Sequence, residues 1–248
     1  MLNKINIKDI EFIALEAGKA VLEIYNQEFE VDYKDDKSPL TQADLIANEI
    51  ICNSLKRLYP TIPIMSEENK QIDYDIRKDW EYYWCIDPID GTKEFIKKNG
   101  EFTINIALIH NDTPVLGVVY APVLDDMYVA KKGYGAYKNE KKLPINKNKN
   151  ELVIVASKSH LNNETKEFIN NLTTNDYKLI SKGSSLKLCM VAEGIADIYP
   201  RLSPTMEWDT AAADAIVREA GKMTYQFDSK NPIVYNKKDL LNPWFMVK

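Results

Sequence analysis

The stretch that most constrains this chain runs from Tyr82 to Phe95. An aromatic, apolar run, Tyr82 to Ile86, predicts a buried strand. It is followed by Asp87-Pro88-Ile89-Asp90-Gly91-Thr92. Pro88 has no N–H to give, so the chain is expected to leave the sheet there. Gly91 permits positive φ or close approach to a ligand, and Thr92 can cap a following turn or touch a reacting group. The two carboxylates thus arrive at the carboxyl end of a strand, where α/β proteins usually place their sites. Acids this close repel unless a cation lies between them, and an all-oxygen set suits Mg²⁺. A strand-ending turn with two solvated acids is the competing reading.

Upstream, Ile10, Ile13, Ala14, Ala17, Val21 and Ile24 recur at helical spacing and predict a helix over 7–25. A second helix is expected over about 42–58, with Thr41 and Asp44 spaced as a capping box. Ile62 to Met65 reads as a short strand that delivers Glu67 and Glu68, either first-turn acids of a helix or another arm of a metal site. Residues 69–79 are polar and read as a loop or short helix.

Downstream, strands are expected over 102–109, 115–120 and 127–130, with a hairpin turn at Asn111-Asp112 and a further turn region from Gly133 to Lys142. The polar run Lys147–Asn150 is the expected subdomain boundary, dividing an N-terminal unit, 1–149, from a C-terminal unit, 150–248. A strand over 152–156 leads to Ser157-Lys158-Ser159-His160, small polar residues compatible with phosphate contact or with a plain helix cap. Gly183, Ser184 and Ser185 open a helix whose free N–H groups could meet an anion. A strand is expected over 195–199, and Arg201 could fork two phosphate oxygens. Asp209 opens a helix that Gly221 stops. The apolar end, Leu240 to Val247, is expected to be docked in the core.

Composition narrows the class. With 45% hydrophobic and 28% charged residues over 248 positions, the chain reads as soluble and globular, not disordered. A net charge of -5 gives no reason to expect a DNA or RNA polymer as partner. No window is apolar enough for an integral membrane segment, and the N-terminus lacks a signal-peptide pattern. Three scattered cysteines, Cys52, Cys85 and Cys189, read as reduced core residues. A cytoplasmic protein is expected, and loose peripheral attachment to the inner face of the cell membrane is compatible with it.

The DPIDGT string resembles the signature of the inositol monophosphatase superfamily of metal-dependent, lithium-sensitive phosphatases. The S-P-x-T-x-A-D, S-K-S-H, G-S-S-L-K, Y-P-R and W-D-x-A-A segments narrow the resemblance to its 3'(2'),5'-bisphosphate nucleotidase branch. The family usually has glycine where this chain has Ala213. The resemblance implies an α/β fold, a five-layer α/β/α/β/α sandwich with the site between two subdomains. It implies that Glu67, Asp87 and the Ile89 carbonyl hold one Mg²⁺, that Asp87, Asp90 and Asp209 hold a second, and that a weaker third ion sits near Glu67. Glu67 would orient water and Asp44 would polarise Thr92. The backbone of Gly91-Thr92, together with Ser157, Lys158, His160, Gly183, Ser184, Ser185, Lys187 and Arg201, would contact the substrate. The implied reaction removes the 3'-phosphate of adenosine 3',5'-bisphosphate, with 3'-phosphoadenylyl sulfate as a second substrate, in the setting of sulfate assimilation. Dimerisation is a tendency of the family. An inositol or sugar monophosphatase shares the core chemistry, and a non-catalytic metal- or nucleotide-binding module would need a missing ligand.

Overall fold

The computed structural model describes residues 1–33, 39–145, 151–158, 162–172 and 176–248. The expected boundary at Lys147–Asn150 lies outside them. The first helix, α1 (Ile7–Tyr25), starts where the Asn6 side chain accepts the Lys8 N–H, and it buries Ile10, Ile13, Ala14, Ala17 and Val21 as the spacing predicts. A short antiparallel ribbon, β1 (Val31–Tyr33) with β2 (Pro39–Thr41), leads into α2 (Gln42–Leu58).

The chain then builds one sheet: β3 (Ile64–Ser66), a single turn α3 (Tyr74–Arg77), β4 (Tyr82–Asp90), α4 (Thr92–Ile96), β5 (Thr103–His110), β6 (Thr113–Ala121), β7 (Asp126–Lys131), β8 (Gly135–Lys138) and β9 (Lys141–Lys142). Its strands lie in chain order; β3 and β4 are parallel and every other pair is antiparallel. Two expectations are corrected here. The first is that Pro88 does not end β4: the strand continues to Asp90, and the pairing with β5 slips between Asp87 and Asp90. A bulge tolerates a residue with no N–H to donate. The second is that the expected turn region after Gly133 contains the strands β8 and β9.

The remaining elements are β10 (Leu152–Ser157), α5 (Asn163–Leu172), β11 (Tyr177–Lys182), α6 (Leu186–Glu193), β12 (Tyr199–Arg201), α7 (Glu207–Glu219), β13 (Thr224–Gln226) and β14 (Phe245–Val247). The strand expected over 195–199 is thus displaced to 199–201, although Ile198 bridges Ile154 and joins the β10–β11 pair to the β12–β14–β13 sheet. The apolar end is docked as expected, with β14 at the centre of its sheet and Val247 fully buried.

These elements stack in five layers. Helices α1 and α2 cover one face of the large sheet around Trp84, Ile86, Ile104 and Ile106. Helices α6 and α7 cover the other face around Tyr83, Cys85, Ala107 and Ile109, and the second sheet packs behind them. Helix α5 closes the far side on Ile154 and Ala156. The central strands are therefore apolar on both faces, and polar side chains survive only at their ends. No helix among the described residues is long and apolar enough to cross a membrane.

Of the described glycines, Gly117 of β6 is the most tightly covered: a Cβ there would lie 2.1 Å from the Ala212 carbonyl oxygen of α7. That contact fixes the height of α7 over the sheet. Gly117→Ala is therefore expected to destabilise the protein by at least about 2 kcal/mol, a drop of roughly 4–8 °C in Tm by differential scanning fluorimetry. A melting temperature within a degree of wild type would show that α7 can move aside.

Candidate active site

The parallel pairing of β3 with β4 sets Ser66 opposite Ile86, so Glu67, just past the end of β3, comes beside Asp87 of β4, and the Glu67 N–H donates to the Ile86 carbonyl at 3.1 Å. The Glu67 turn is braced from α2: the Ser66 hydroxyl donates to Asn48 Oδ1 at 2.7 Å and Asn48 Nδ2 to Asn69 Oδ1 at 2.9 Å. The first turn of α7 brings in Asp209. Carboxylate oxygens of Glu67, Asp87 and Asp209 lie within 4.8 Å of one another. Asp90 stands beside this trio, after the bulge.

Asp87, Asp209 and the neighbouring Asp44 are each pinned by a backbone N–H. Asp87 Oδ1 accepts from Ile89 at 3.1 Å and Asp209 Oδ2 from Met206 at 2.9 Å. The Ser185 backbone N–H favours the ionised form of Asp90. Asp44 Oδ2 accepts from the Thr41 N–H at 2.8 Å and the Thr41 hydroxyl at 2.6 Å, while its Oδ1 accepts from the Thr92 hydroxyl at 3.4 Å. The capping role of Asp44 and its place beside Thr92 thus use different oxygens. Thr92 itself opens α4 behind Gly91, whose φ of 94° is the left-handed conformation expected of that glycine.

Burial dominates the electrostatics. It raises Asp87 well above the usual carboxylate range, helped by Glu67, Asp90 and Asp209, and raises Asp209 in the same way with Asp90 and Glu67. Burial pushes Asp90 up to about 6 against the opposing pull of Lys187 and the Ser185 N–H. It also lowers Lys187 to about 8. Carboxylates that would rather be protonated than face one another are the chemistry of a hard-cation site, and the all-oxygen donor set fits Mg²⁺.

Beside the acids lies a cavity of about 250 Å³. Glu67, Asp90, Gly91, Thr92 and Asp209 form its acidic wall. Ser157, Gly183, Ser184, Ser185, Lys187 and Arg201 line it as well. Asp87, Ile89 and Asp44 lie outside the lining, and the Ile89 carbonyl is 3.4 Å from the Thr92 hydroxyl. Lys158 is turned to Glu101 Oε2 at 3.4 Å, and His160 lies outside the described residues. The turn before α6 is less open than a bare helix start: Gly183 gives its N–H to Glu101 at 3.0 Å, and Lys187 Nζ bonds the Ser184 carbonyl. Arg201 is braced by the carbonyls of Ser203 at 3.2 Å and Pro204 at 2.8 Å. Sequence reading missed Glu101, Thr103 and Asn105, which hold this turn from β5. Their signal is a polar residue at every second position of an otherwise apolar strand.

The inositol monophosphatase family model matches residues 2–244. The chain belongs to the inositol monophosphatase family. Within this family it is 44% identical over 241 residues to the 3'(2'),5'-bisphosphate nucleotidase CysQ of Salmonella typhimurium, covering 95% of this chain and 96% of that protein. The crystal structure of CysQ from Bacteroides thetaiotaomicron superposes with a TM-score of 0.87 at 46% identity, covering 95% of this chain and 94% of that one. The Thermotoga maritima IMPase aligns with a TM-score of 0.80 at 26% identity, covering 95% and 89%.

The crowding of acids makes a prediction independent of turnover. Mg²⁺ at a hundredfold excess over its Kd should stabilise the metal-stripped protein by about 2.7 kcal/mol, a Tm rise of roughly 5–10 °C. Asp87→Asn should lose most of that rise, yet melt no lower than wild type in EDTA, because one repelling charge is gone. A full Mg²⁺-dependent rise in the variant would remove Asp87 from the site.

Proposed function

We propose that this family member is a Mg²⁺-dependent phosphomonoesterase that hydrolyses the 3'-phosphate of adenosine 3',5'-bisphosphate, giving AMP and phosphate. The observation that carries this reading is the acidic trio, of which Glu67 and Asp209 line a cavity that Lys187 and Arg201 also line. The high identity to proteins named as bisphosphate nucleotidases supports the substrate. On this reading 3'-phosphoadenylyl sulfate is a second substrate, and residues 1–149 and 150–248 act as the two units between which the site forms.

Glu67, Asp87 and the Ile89 carbonyl would hold one Mg²⁺, and Asp87, Asp90 and Asp209 a second; a third, weaker ion would sit near Glu67. When bound, these ions supply charge neutralisation on the phosphoryl oxygens and acidify water. The rest is done by the chain. Thr92 gives its hydroxyl proton to Asp44, which leaves an oxygen lone pair to accept a hydrogen bond from the attacking water. Glu67 orients that water from the other side. Arg201 and Lys187 meet the anionic substrate, and Gly91-Thr92 and Ser184-Ser185 wall in the phosphate. Ser157, Lys158 and His160 would contact the substrate.

A phosphomonoester panel with Mg²⁺ tests the substrate. The expected order in kcat/KM places adenosine 3',5'-bisphosphate above inositol monophosphate and sugar phosphates; equal or reversed preference returns the chain to the inositol or sugar monophosphatases. The Thr92–Asp44 pair is tested by a double-mutant cycle. Thr92→Ala should lower kcat by roughly a hundredfold, about 3 kcal/mol, with Mg²⁺ affinity nearly unchanged. Asp44→Asn should do similar harm, and the double variant little more. Additive losses in log kcat would separate the two residues.

A further inference from the structure

Glu101, Thr103 and Asn105 stand at every second position of the chain entering β5, and so share one face of the strand. That face continues as Ala107 and Ile109, which join the core beneath α6 and α7. The alternate residues Phe102, Ile104 and Ile106 point to the opposite core. All three polar side chains engage one target, the turn Gly183–Ser185. Glu101 Oε2 accepts the Gly183 N–H at 3.0 Å, and its Oε1 accepts from Lys182 Nζ at 3.3 Å. The Thr103 hydroxyl is 2.8 Å from the Ser185 hydroxyl, which donates to Asn105 Oδ1 at 2.9 Å. A hydroxyl has one proton, and that of Ser185 goes to Asn105, so Thr103 is the donor in the other bond.

The register of the sheet makes this arrangement consequential. Thr103 pairs with Asp90 and Asn105 with Asp87, across the bulge in β4. The ladder that grips Ser185 therefore stands next to the two acids, Ser185 lines the same cavity as Asp90, and its backbone N–H favours the ionised form of Asp90. Thr103, Asn105 and Ser185 are almost completely buried, which makes their bonds hard to replace with water. Asn105 also keeps a buried amide nitrogen with no hydrogen-bond partner among the described residues, on the face it shares with Asp87. A donor left unpaired at that depth is placed for an oxygen ligand of the acidic centre.

We propose that Glu101, Thr103 and Asn105 are positioning residues: they register Ser185 against Asp90 and thereby set the affinity of the acidic centre for its divalent cation. The proposal rests on the reading of Asp90 as a metal ligand. Outer-shell partners of metal-holding carboxylates change affinity by about ten- to a hundredfold when removed. The ladder acts through Ser185 and Asp90.

Calorimetric titration of Mg²⁺ into the substrate-free, metal-stripped protein tests this. Thr103→Val keeps the shape and removes the hydroxyl; Thr103→Ser keeps the hydroxyl and removes the methyl. The expected result is Mg²⁺ binding about tenfold weaker in Thr103→Val and near wild type in Thr103→Ser, even though the serine variant melts lower. Ser185→Ala should weaken binding at least as much, and Thr103→Val/Ser185→Ala no further, because both remove the same bond. Unchanged affinity in Thr103→Val and Ser185→Ala, or affinity that tracks melting temperature across the set, would overturn the proposal. Asp90→Asn separates the two levels: if it binds Mg²⁺ like wild type, the reading of Asp90 fails and the ladder's role falls with it. If it weakens binding while the ladder variants do not, only the ladder falls.

Discussion

Mutual repulsion among buried carboxylates is the constraint on which the rest of this structure depends. Glu67, Asp87 and Asp209 sit within 4.8 Å of one another, and Asp90 adds a fourth charge beside them. A carboxylate free to rotate would turn away from such neighbours. Asp87, Asp209 and the neighbouring Asp44 are prevented from doing so by a backbone N–H, a donor that cannot itself swing aside: Ile89 for Asp87, Met206 for Asp209 and Thr41 for Asp44. A charge-assisted bond of this kind contributes roughly 1.5–3 kcal/mol and fixes the direction of the group before any cation arrives.

The layered core supplies the remaining rigidity. Large apolar side chains bury both faces of the central strands, so the strand ends are fixed to within the tolerance of close packing. The approach of Gly117 to the Ala212 carbonyl sets α7, and α7 carries Asp209 in its first turn. The bulge between Asp87 and Asp90 has a comparable role on β4, since the slipped register re-aims the second acid relative to the first. The proline at that point is compatible with the bulge; regular pairing would have made it costly.

Legibility from sequence follows the range of each interaction. Asp44 and Asp209 are pinned by residues three positions upstream and Asp87 by the residue two positions on, and all three acids were identifiable from local pattern and motif. Helices α1 and α2 fall where periodicity places them, because each buries one clear stripe. Strand ends were less legible. Continuation of β4 through Pro88 depends on its partner β5, and the position of β12 depends on β14, which lies more than forty residues further on. The N–H that favours ionised Asp90 comes from Ser185, 95 positions away, and is held by residues of β5 that carry no recognisable motif. Non-local registration leaves only a faint trace, the alternation of polar residues from Glu101 to Asn105.

Charge balance also fixes the order in which ligands can enter. Around the cavity, Glu67, Asp87, Asp90, Asp209, Asp44 and Glu94 outnumber Lys93, Lys187 and Arg201. Without a divalent cation the field there is negative and opposes a phosphate, whatever Lys187 and Arg201 contribute locally. Lys187 is further weakened as a phosphate attractor because burial and Arg201 both favour its neutral form. Divalent cations shared among the acids invert that field, after which the two basic side chains and the bound charge pull the same way. Phosphate affinity in such a site is therefore conditional on metal occupancy. Acids gathered from β4, α7 and the turn after β3, set beside the bases of α6 and β12, make a cavity whose field opposes anions until a cation is bound.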